Sequence, residues 1–406
     1  MKGKNDLDGK KVHEQPENKI VITKDSSLIS YQPLNMESPK KGKKLWRKIL
    51  IGFFCILLIS LIGIVAFSKH ILGYVNYKDF SNKKNKVIVQ EEKFDTDGSS
   101  SSSGLDELDP KEVKWNNGGE IKKVEGVTNL LFIAEEKEED EIRGRSDVII
   151  IVTINTKDNT LKLTSILKDT YVQIPGYQDN RINSAYRTGD IPLLEKTIEQ
   201  NFNIQVDGYI KVDFDGFSDL IDALGGVEVT LTKKEAKWLN EGNHILDEDS
   251  RNLKSGKQRL NGAQALGYAR ICKVPTVNGQ SNDYGRTWRQ KAVISSVFND
   301  YKNQSLTDMV ALAPKVLSLI TSDLTESKIL SLAMTAIDLK VDQIETLSIP
   351  IKDSYETKSV RDMAVLVPNL EENISAIDAF LYGSDFDAED YLGESIDDYQ
   401  IDFSVK

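Results

Sequence analysis

Residues 147–154 read DVIIIVTI, seven apolar or β-branched positions behind a single acid. A run with no polar alternation must be covered on both faces, so it reads as an interior strand of a sheet lying between other layers. Leu130–Ile133 is a second apolar run, and Thr160–Ile166 (TLKLTSI) alternates like a neighbouring strand. Beyond them the period changes. Asp190 offers an N-cap, Pro192 sits early, and Leu193, Leu194, Ile198 and Phe202 form a helical stripe. Val206–Val212 reads as a strand, Phe214–Leu224 as a helix closed by Gly225-Gly226, and Val227–Leu231 as the returning strand. Helices are expected at Asn261–Arg270, Thr287–Tyr301 and Thr325–Leu339. Strands near Gln343–Ile349 and Ala364–Val367 lead into a last helix that ends before Gly383. Strands alternating with helices predict a layered α/β/α sandwich around a central mixed β-sheet.

Upstream, Ile49–Phe67 (ILIGFFCILLISLIGIVAF) carries no charge. A hydrocarbon core of ~30 Å needs about 20 helical residues, so this stretch is expected to be one transmembrane helix. Lys40, Lys41, Lys43, Lys44, Arg47 and Lys48 precede it, whereas Lys69 and His70 alone follow closely. Positive charge resists translocation, which places the N-terminus in the cytoplasm and the rest outside, anchored in the cell membrane. The apolar core exceeds that of a cleaved secretory signal. The expected organisation is a basic cytoplasmic tail over 1–48, the span over 49–67, a serine-rich spacer over 68–126, a folded domain over 127–383, and an acidic tail over 384–406.

The formal charge of −11 argues against nucleic acid as a partner. The cysteines, Cys55 and Cys272, lie within and far beyond the span and cannot pair. An extracytoplasmic domain with no disulfide suits a bacterial outer face. His13, His70 and His244 are scattered, which supports neither a zinc site nor a histidine-based triad.

Arginine is used unevenly. Of eleven arginines, nine fall between Arg143 and Arg289, while lysine dominates elsewhere. The planar guanidinium binds phosphate or carboxylate bidentately and stays charged when partly buried, so the concentration suggests an anion pocket; salt bridging within an acidic domain is the bland alternative. Spacing favours the pocket. In NDYGRTWRQ (282–290), a helix starting near Asp283–Gly285 places Arg286, Arg289 and Gln290 on its first turn, where free N–H groups already attract anions. Gly144-Arg145-Ser146-Asp147 enters the strongest strand, and Lys168-Asp169 leaves the next. Acids at such strand ends suit Mg²⁺, which binds through one or two carboxylates plus substrate phosphates.

The ordered segments GRSDVIIIVTIN (144–155), DTYVQIPG (169–176), RINSAY (181–186), VDFDGFSDLIDALGGVEV (212–229), LNGAQALGYAR (260–270) and NDYGRTWRQ resemble the LytR-CpsA-Psr family. The resemblance implies an extracytoplasmic phosphotransferase. It would move an anionic glycopolymer, such as wall teichoic acid or capsule, from a polyprenyl-pyrophosphate carrier onto peptidoglycan. It further implies a Mg²⁺-assisted (or Mn²⁺-assisted) attack by a muramic acid hydroxyl, with the lipid pyrophosphate as leaving group. By the same resemblance, Arg145 is a phosphate clamp and Asp147 a metal ligand. Lys168, Asp169, Arg270, Asp283, Arg286, Arg289 and Gln290 complete the catalytic set, and Arg181 and Asn183 bind substrate. Catalysis of this kind rests on positioning and on cations spread over developing charge.

Departures from the family pattern carry their own implications. Glu136 stands where a metal-binding aspartate is usual, Lys168 replaces an arginine beside Asp169, and Cys272 replaces the second arginine of an Arg-x-Arg pair. A cysteine there reads first as a small apolar filler. These replacements leave open an alternative: a lipid-pyrophosphate-binding or regulatory envelope protein with little catalysis. Trp115, Trp238 and Trp288 are candidates for an apolar lipid groove, with core or surface packing the plainer reading.

Overall fold

The computed structural model describes residues 75–80, 102–116, 118–136, 144–302 and 304–383. The expected cytoplasmic tail, the span at Ile49–Phe67 and the acidic tail after residue 383 lie outside the described residues. Among the described residues no helix is long and apolar enough to cross a membrane.

The chain opens with a two-residue strand, β1 (Asn76–Tyr77), then forms a meander of long strands, β2 (Val127–Glu136), β3 (Arg145–Asn155) and β4 (Thr160–Ile166). A small hairpin of β5 (Tyr171–Val172) and β6 (Asn180–Arg181) leads into α1 (Ile182–Phe202), β7 (Gly208–Asp213) and α2 (Phe214–Ala223). Next come β8 (Val227–Leu231), α3 (Lys233–Glu241), β9 (Gly256–Leu260), α4 (Gly262–Arg270) and the long α5 (Asn282–Tyr301). Helix α6 (Leu306–Ser318), β10 (Thr321–Ser322), α7 (Glu326–Asp338) and β11 (Glu345–Ile349) follow. The hairpin β12 (Tyr355–Val360) and β13 (Met363–Pro368) then hands the chain to α8 (Leu370–Tyr382).

Seven strands form one sheet in the order β1-β10-β7-β2-β3-β4-β11. It is mixed, with β2–β3–β4 antiparallel, β7 parallel to β2, and β11 parallel to β4. Strand β3 lies inside it, and Ile149, Ile150 and Ile151 are buried on both faces, which is why its sequence does not alternate. Leu131, Ile133, Ile149 and Ile151 pack against Ile198 and Phe202 of α1 and Ile377 and Phe380 of α8. Leu130, Ile150 and Leu163, on the opposite face, meet Phe217 of α2, Ile294 and Phe298 of α5, and Leu332 of α7. These are the three layers of the expected sandwich. The hairpin β8–β9 with α3 and α4 builds a smaller core of its own around Val229, Leu239, Leu260 and Tyr268, joined to α5 through Val293.

Several elements differ from the sequence reading. Helix α1 starts eight residues before Asp190 and is broken there, at φ 63° and ψ −163°. Asp190 therefore does begin a helical stretch, but within a longer element. Within 68–126, expected to be a spacer, Leu108, Val113 and Trp115 pack on Tyr171, Val360 and Val365, and Asn76–Tyr77 joins the sheet edge. A single tryptophan in a polar segment says little about its partner, which lies more than fifty residues away.

Lys291 of α5 is buried, and its Nζ donates to Ser348 Oγ at 2.9 Å and to the Leu347 carbonyl at 3.5 Å on β11. Burial without a carboxylate among these contacts pushes its pKa down from the ordinary 10.5 to about 7. The unfolded chain thus binds this proton more tightly than the folded one. Stability falls as pH drops from about 10.5 towards about 7 and levels off below that. Lys291→Met is expected to raise stability at pH 7 by roughly 1–3 kcal/mol and to flatten this slope, as read from urea unfolding across pH.

Candidate functional site

The site depends on an irregularity in the β2–β3 pairing. Ala134 lies opposite Val148, but Glu135 lies opposite Ser146, so Asp147 is an extra, unpaired residue. Strict alternation would aim Asp147 with Ile149 and Ile151 towards α1. The bulge instead turns it to the other face, where it lines the same cleft as Val148. The buried Ser146 hydroxyl spans the bulge by donating to the Val148 carbonyl at 2.9 Å. On β2, Glu136 faces the cleft while Glu135 faces away. Glu135 accepts from the Gly144 N–H at 2.9 Å and from Lys211 Nζ at 2.7 Å, which ties down the entry to β3. Sequence reasoning passed over Glu135, since nothing local tells apart two consecutive glutamates whose faces are set by pairing.

The cleft holds about 450 Å³. Its walls are apolar, formed by Phe132, Phe214, Phe217, Trp238, Val293 and Ile294, and its charged end carries Asp147, Glu136, Arg270 and Arg286. Lys168 Nζ stands 3.3 Å from Asp147 Oδ1. Burial works to raise the pKa of Asp147, but Lys168 and Arg286 outweigh it and hold the carboxyl below the usual range, ionised. Arg286 pairs with Asp283 at 2.7 Å. Burial disfavours its charge, yet Asp283 and Asp147 more than restore it. Arg270 is the last residue of α4 and reaches Glu136 at 2.5 Å, while its guanidinium lies 5.0 Å from the centre of the Phe214 ring.

A second acid pair adjoins the first. Asp169, buried and beside Asp283, has its pKa raised by burial and by the neighbouring carboxylate, despite Lys168 and Arg181. Arg181 reaches it at 3.3 Å. Asn183 adds a backbone N–H donated to the Lys168 carbonyl at 3.4 Å. Cys272 lines the cleft with Sγ 3.8 Å from Asp283 Oδ1, and burial together with Asp283 pushes the thiol up, so it is a neutral donor to that carboxylate. Arg145 opens β3 opposite Glu136, and its side chain lies outside the described part.

Arg289 is placed differently from its neighbours. It is fully buried, and its guanidinium is used up by Glu235 of α3 at 2.8 Å and by the carbonyls of Ile271 and Val274 at 3.1 and 2.6 Å. It clamps the loop after Arg270 instead of facing the cleft. Gln290 does line the cleft, with Nε2 3.5 Å from the Ala269 carbonyl. Of the tryptophans, Trp238 lines the cleft and stacks on His244, whereas Trp115 packs on Tyr171 and Trp288 is buried.

Fold and site together define an α/β/α protein with an apolar cleft closed at one end by arginines and carboxylates, an arrangement suited to an amphiphile with an anionic head. The sequence profile of the LytR_cpsA_psr family matches residues 72–375, and the chain belongs to that family. It is 32% identical over 240 residues to the polyisoprenyl-teichoic acid–peptidoglycan teichoic acid transferase TagU of Bacillus anthracis, covering 59% of this chain and 68% of that protein. It is 30% identical over 275 residues to the regulatory protein MsrR of Staphylococcus aureus, covering 67% and 79%. Among solved structures, TagV of B. subtilis superposes with a TM-score of 0.50 at 28% identity, over 64% of this chain and 98% of that one. TagT bound to LI-WTA gives 0.50 at 21% identity, over 70% and 96%, and shares the fold.

Removing one member of a fully buried ion pair leaves an uncompensated charge, so Arg289→Ala is expected to cost roughly 3–5 kcal/mol. Arg286→Ala is expected to cost less than that, because its side chain lines the open cleft and water can take its place beside Asp283. Urea unfolding of the two variants checks the order.

Proposed function

We propose that the protein is a membrane-anchored extracytoplasmic phosphotransferase that attaches an anionic glycopolymer (teichoic acid, capsule or a similar polymer) from a polyprenyl-pyrophosphate carrier to peptidoglycan. The observation that carries this reading is the joining of Arg270, Arg286 and Asp147 to an apolar cleft in one cavity. A pyrophosphate head fits the charged end, and an isoprenoid tail fits between Phe217, Trp238 and Ile294. The relative named as a teichoic acid transferase supports the polymer class.

In this mechanism Arg270, Arg286 and Lys168 orient the pyrophosphate oxygens and spread positive charge over them. Glu136 and Asp147 line the same cleft from neighbouring strands and are the residues that would hold Mg²⁺ or Mn²⁺. Two carboxylates with substrate phosphates form an ordinary donor set for such an ion, which when bound supplies further charge neutralisation. A peptidoglycan hydroxyl oxygen forms a bond to the phosphorus on the polymer side, and the bond from that phosphorus to the bridging oxygen breaks. The electron pair leaves on the lipid. One phosphorus stays with the polymer, so the leaving group is polyprenyl monophosphate, which revises the expectation of a departing pyrophosphate. Asp169, whose proton affinity is raised by burial and by the neighbouring Asp283 carboxylate, takes the hydroxyl proton. The anchor at Ile49–Phe67 keeps the cleft within reach of a lipid in the outer leaflet.

A second reading, a lipid-pyrophosphate binder or regulator with weak catalysis, is favoured by Cys272, whose neutral thiol supplies no charge to the cleft. MsrR, named a regulatory protein, is a relative of comparable similarity.

Mass spectrometry of lipid retained by the purified full chain is expected to find a polyprenyl phosphate, and Arg270→Ala or Arg286→Ala to abolish its retention. Retention unchanged in both variants would remove the cleft from consideration. In a transfer assay with Mg²⁺ and a lipid-linked glycan pyrophosphate, Cys272→Arg with Lys168→Arg separates the two readings. Activity in the parent chain supports the transferase, while activity absent from both parent and variant, with lipid still bound, supports the binder.

A further inference from the structure

The chemistry above makes no use of a second concavity. It is a trough of about 780 Å³ between residues 108–116, the turn into β12 and the junction of β13 with α8. Glu112, Asp353, Glu356, Glu371 and Glu372 line it, all exposed, against one lining cation among the described residues, Lys114. Glu356 is met by Lys358 at 3.1 Å. Trp115 and Tyr355 offer half-buried aromatic faces to the same space.

Packing contacts tie the walls of the trough to residues next to the charged end of the cleft. Tyr284, the residue after Asp283, stacks on Tyr355 with ring centres 5.9 Å apart and donates its hydroxyl to the Pro350 carbonyl at 2.8 Å. From the other side, the Leu366 N–H donates to the Asp169 carbonyl at 2.9 Å. Pro368, two residues further along β13 and so roughly 7 Å away, lines the trough.

Charge decides which substrate belongs there. A polyphosphate-rich donor is repelled by five carboxylates and drawn to the arginine cleft, whereas a ligand bearing amines is drawn to the trough. Aromatic faces suit sugar rings and peptide planes, which stack on them through their apolar C–H surfaces. We propose that this trough docks the peptidoglycan acceptor, seating an amine-bearing stem peptide among the carboxylates and so delivering the acceptor hydroxyl past the Tyr284–Tyr355 pair to the cleft. The proposal rests on the transferase reading above, and it assigns the acceptor side of that reaction to Asp353, Glu371, Glu372, Trp115 and Tyr355.

The test uses the full chain in detergent and a soluble peptidoglycan fragment carrying a free amine, alongside the same fragment N-acetylated, with binding measured by calorimetry. Acetylation is expected to weaken binding to the parent chain at least about fivefold at low salt, and the gap to shrink as salt rises. The variant Asp353→Asn/Glu371→Gln/Glu372→Gln is expected to bind the free-amine fragment about as weakly as the acetylated one. Equal affinity for the two fragments, or absence of binding to either, overturns the proposal, and this comparison needs only the parent chain should the variant misfold. Retained polyprenyl phosphate, followed in the same samples, reports on the cleft separately. Lipid present with no discrimination between fragments refutes the trough alone, and lipid absent from the parent chain refutes the transferase reading.

Discussion

Asp147 is an ionised carboxylate with most of its surface taken from water, and much of the architecture can be understood as what its charge requires. Withdrawing a carboxylate from solvent costs several kcal/mol unless opposite charge replaces its hydration. Here the replacement comes from Lys168, at the end of β4, and from Arg286 and Arg270 on α5 and α4. Strand β4 lies far from α4 and α5 in the chain. They converge because β4 pairs with β3 from Ile150 to Asn155, which brings the end of β4 back to the start of β3, and because α5 packs across the same sheet face through Ile294 and Phe298. The guanidinium and ammonium groups held there prepare the cleft for an anion, since a phosphate meets donors already in position and little has to reorganise.

The smaller lobe serves that arrangement through one contact. Glu235 accepts both from the Thr232 N–H that begins α3 and from Arg289, while Arg289 also holds two carbonyls of the loop carrying Cys272. The pair lies wholly out of solvent, where either partner alone would be strongly unfavourable. Arg270 is thus aimed by a rigid support at its C-terminal side. The consequence for Cys272 is that a small neutral side chain stands on a firmly held loop directly beside Asp283 and adds no charge to the cleft.

Much of this was legible in the chain. The non-alternating run in β3 announced a strand covered on both faces, and the clustering of arginines pointed to a pocket; Arg270 and Arg286 line one cleft. Arg289 was not readable in the same way. Three residues along a helix from Arg286, it lies near enough in angle to share a face, and only Glu235, in a helix that the sequence pattern did not reveal, draws it elsewhere. Strand β9 (GKQRL) is polar up to its last residue, so its strand state comes from pairing with β8 and leaves no apolar periodicity in the sequence. Leu108, Val113 and Trp115 sat in a segment with the composition of a spacer, and their burial is decided by Tyr171 and Val365.

By itself, then, the sequence determined the interior strand, the helix limits set by caps such as Asn261 and Gly383, the inventory of fixed positive charges and the family to which they belong. These follow from local chemistry: burial of apolar runs, capping of backbone groups, and the charge each side chain carries. The tertiary structure alone decided which face each charge meets. Asp147 enters the cleft because its strand is one residue longer than its partner at the bulge, and Glu135 leaves it because β2 keeps its alternation. In a sheet the side-chain direction reverses at every residue, so a register set by contacts dozens of positions away determines whether an acid joins a site or is buried behind it.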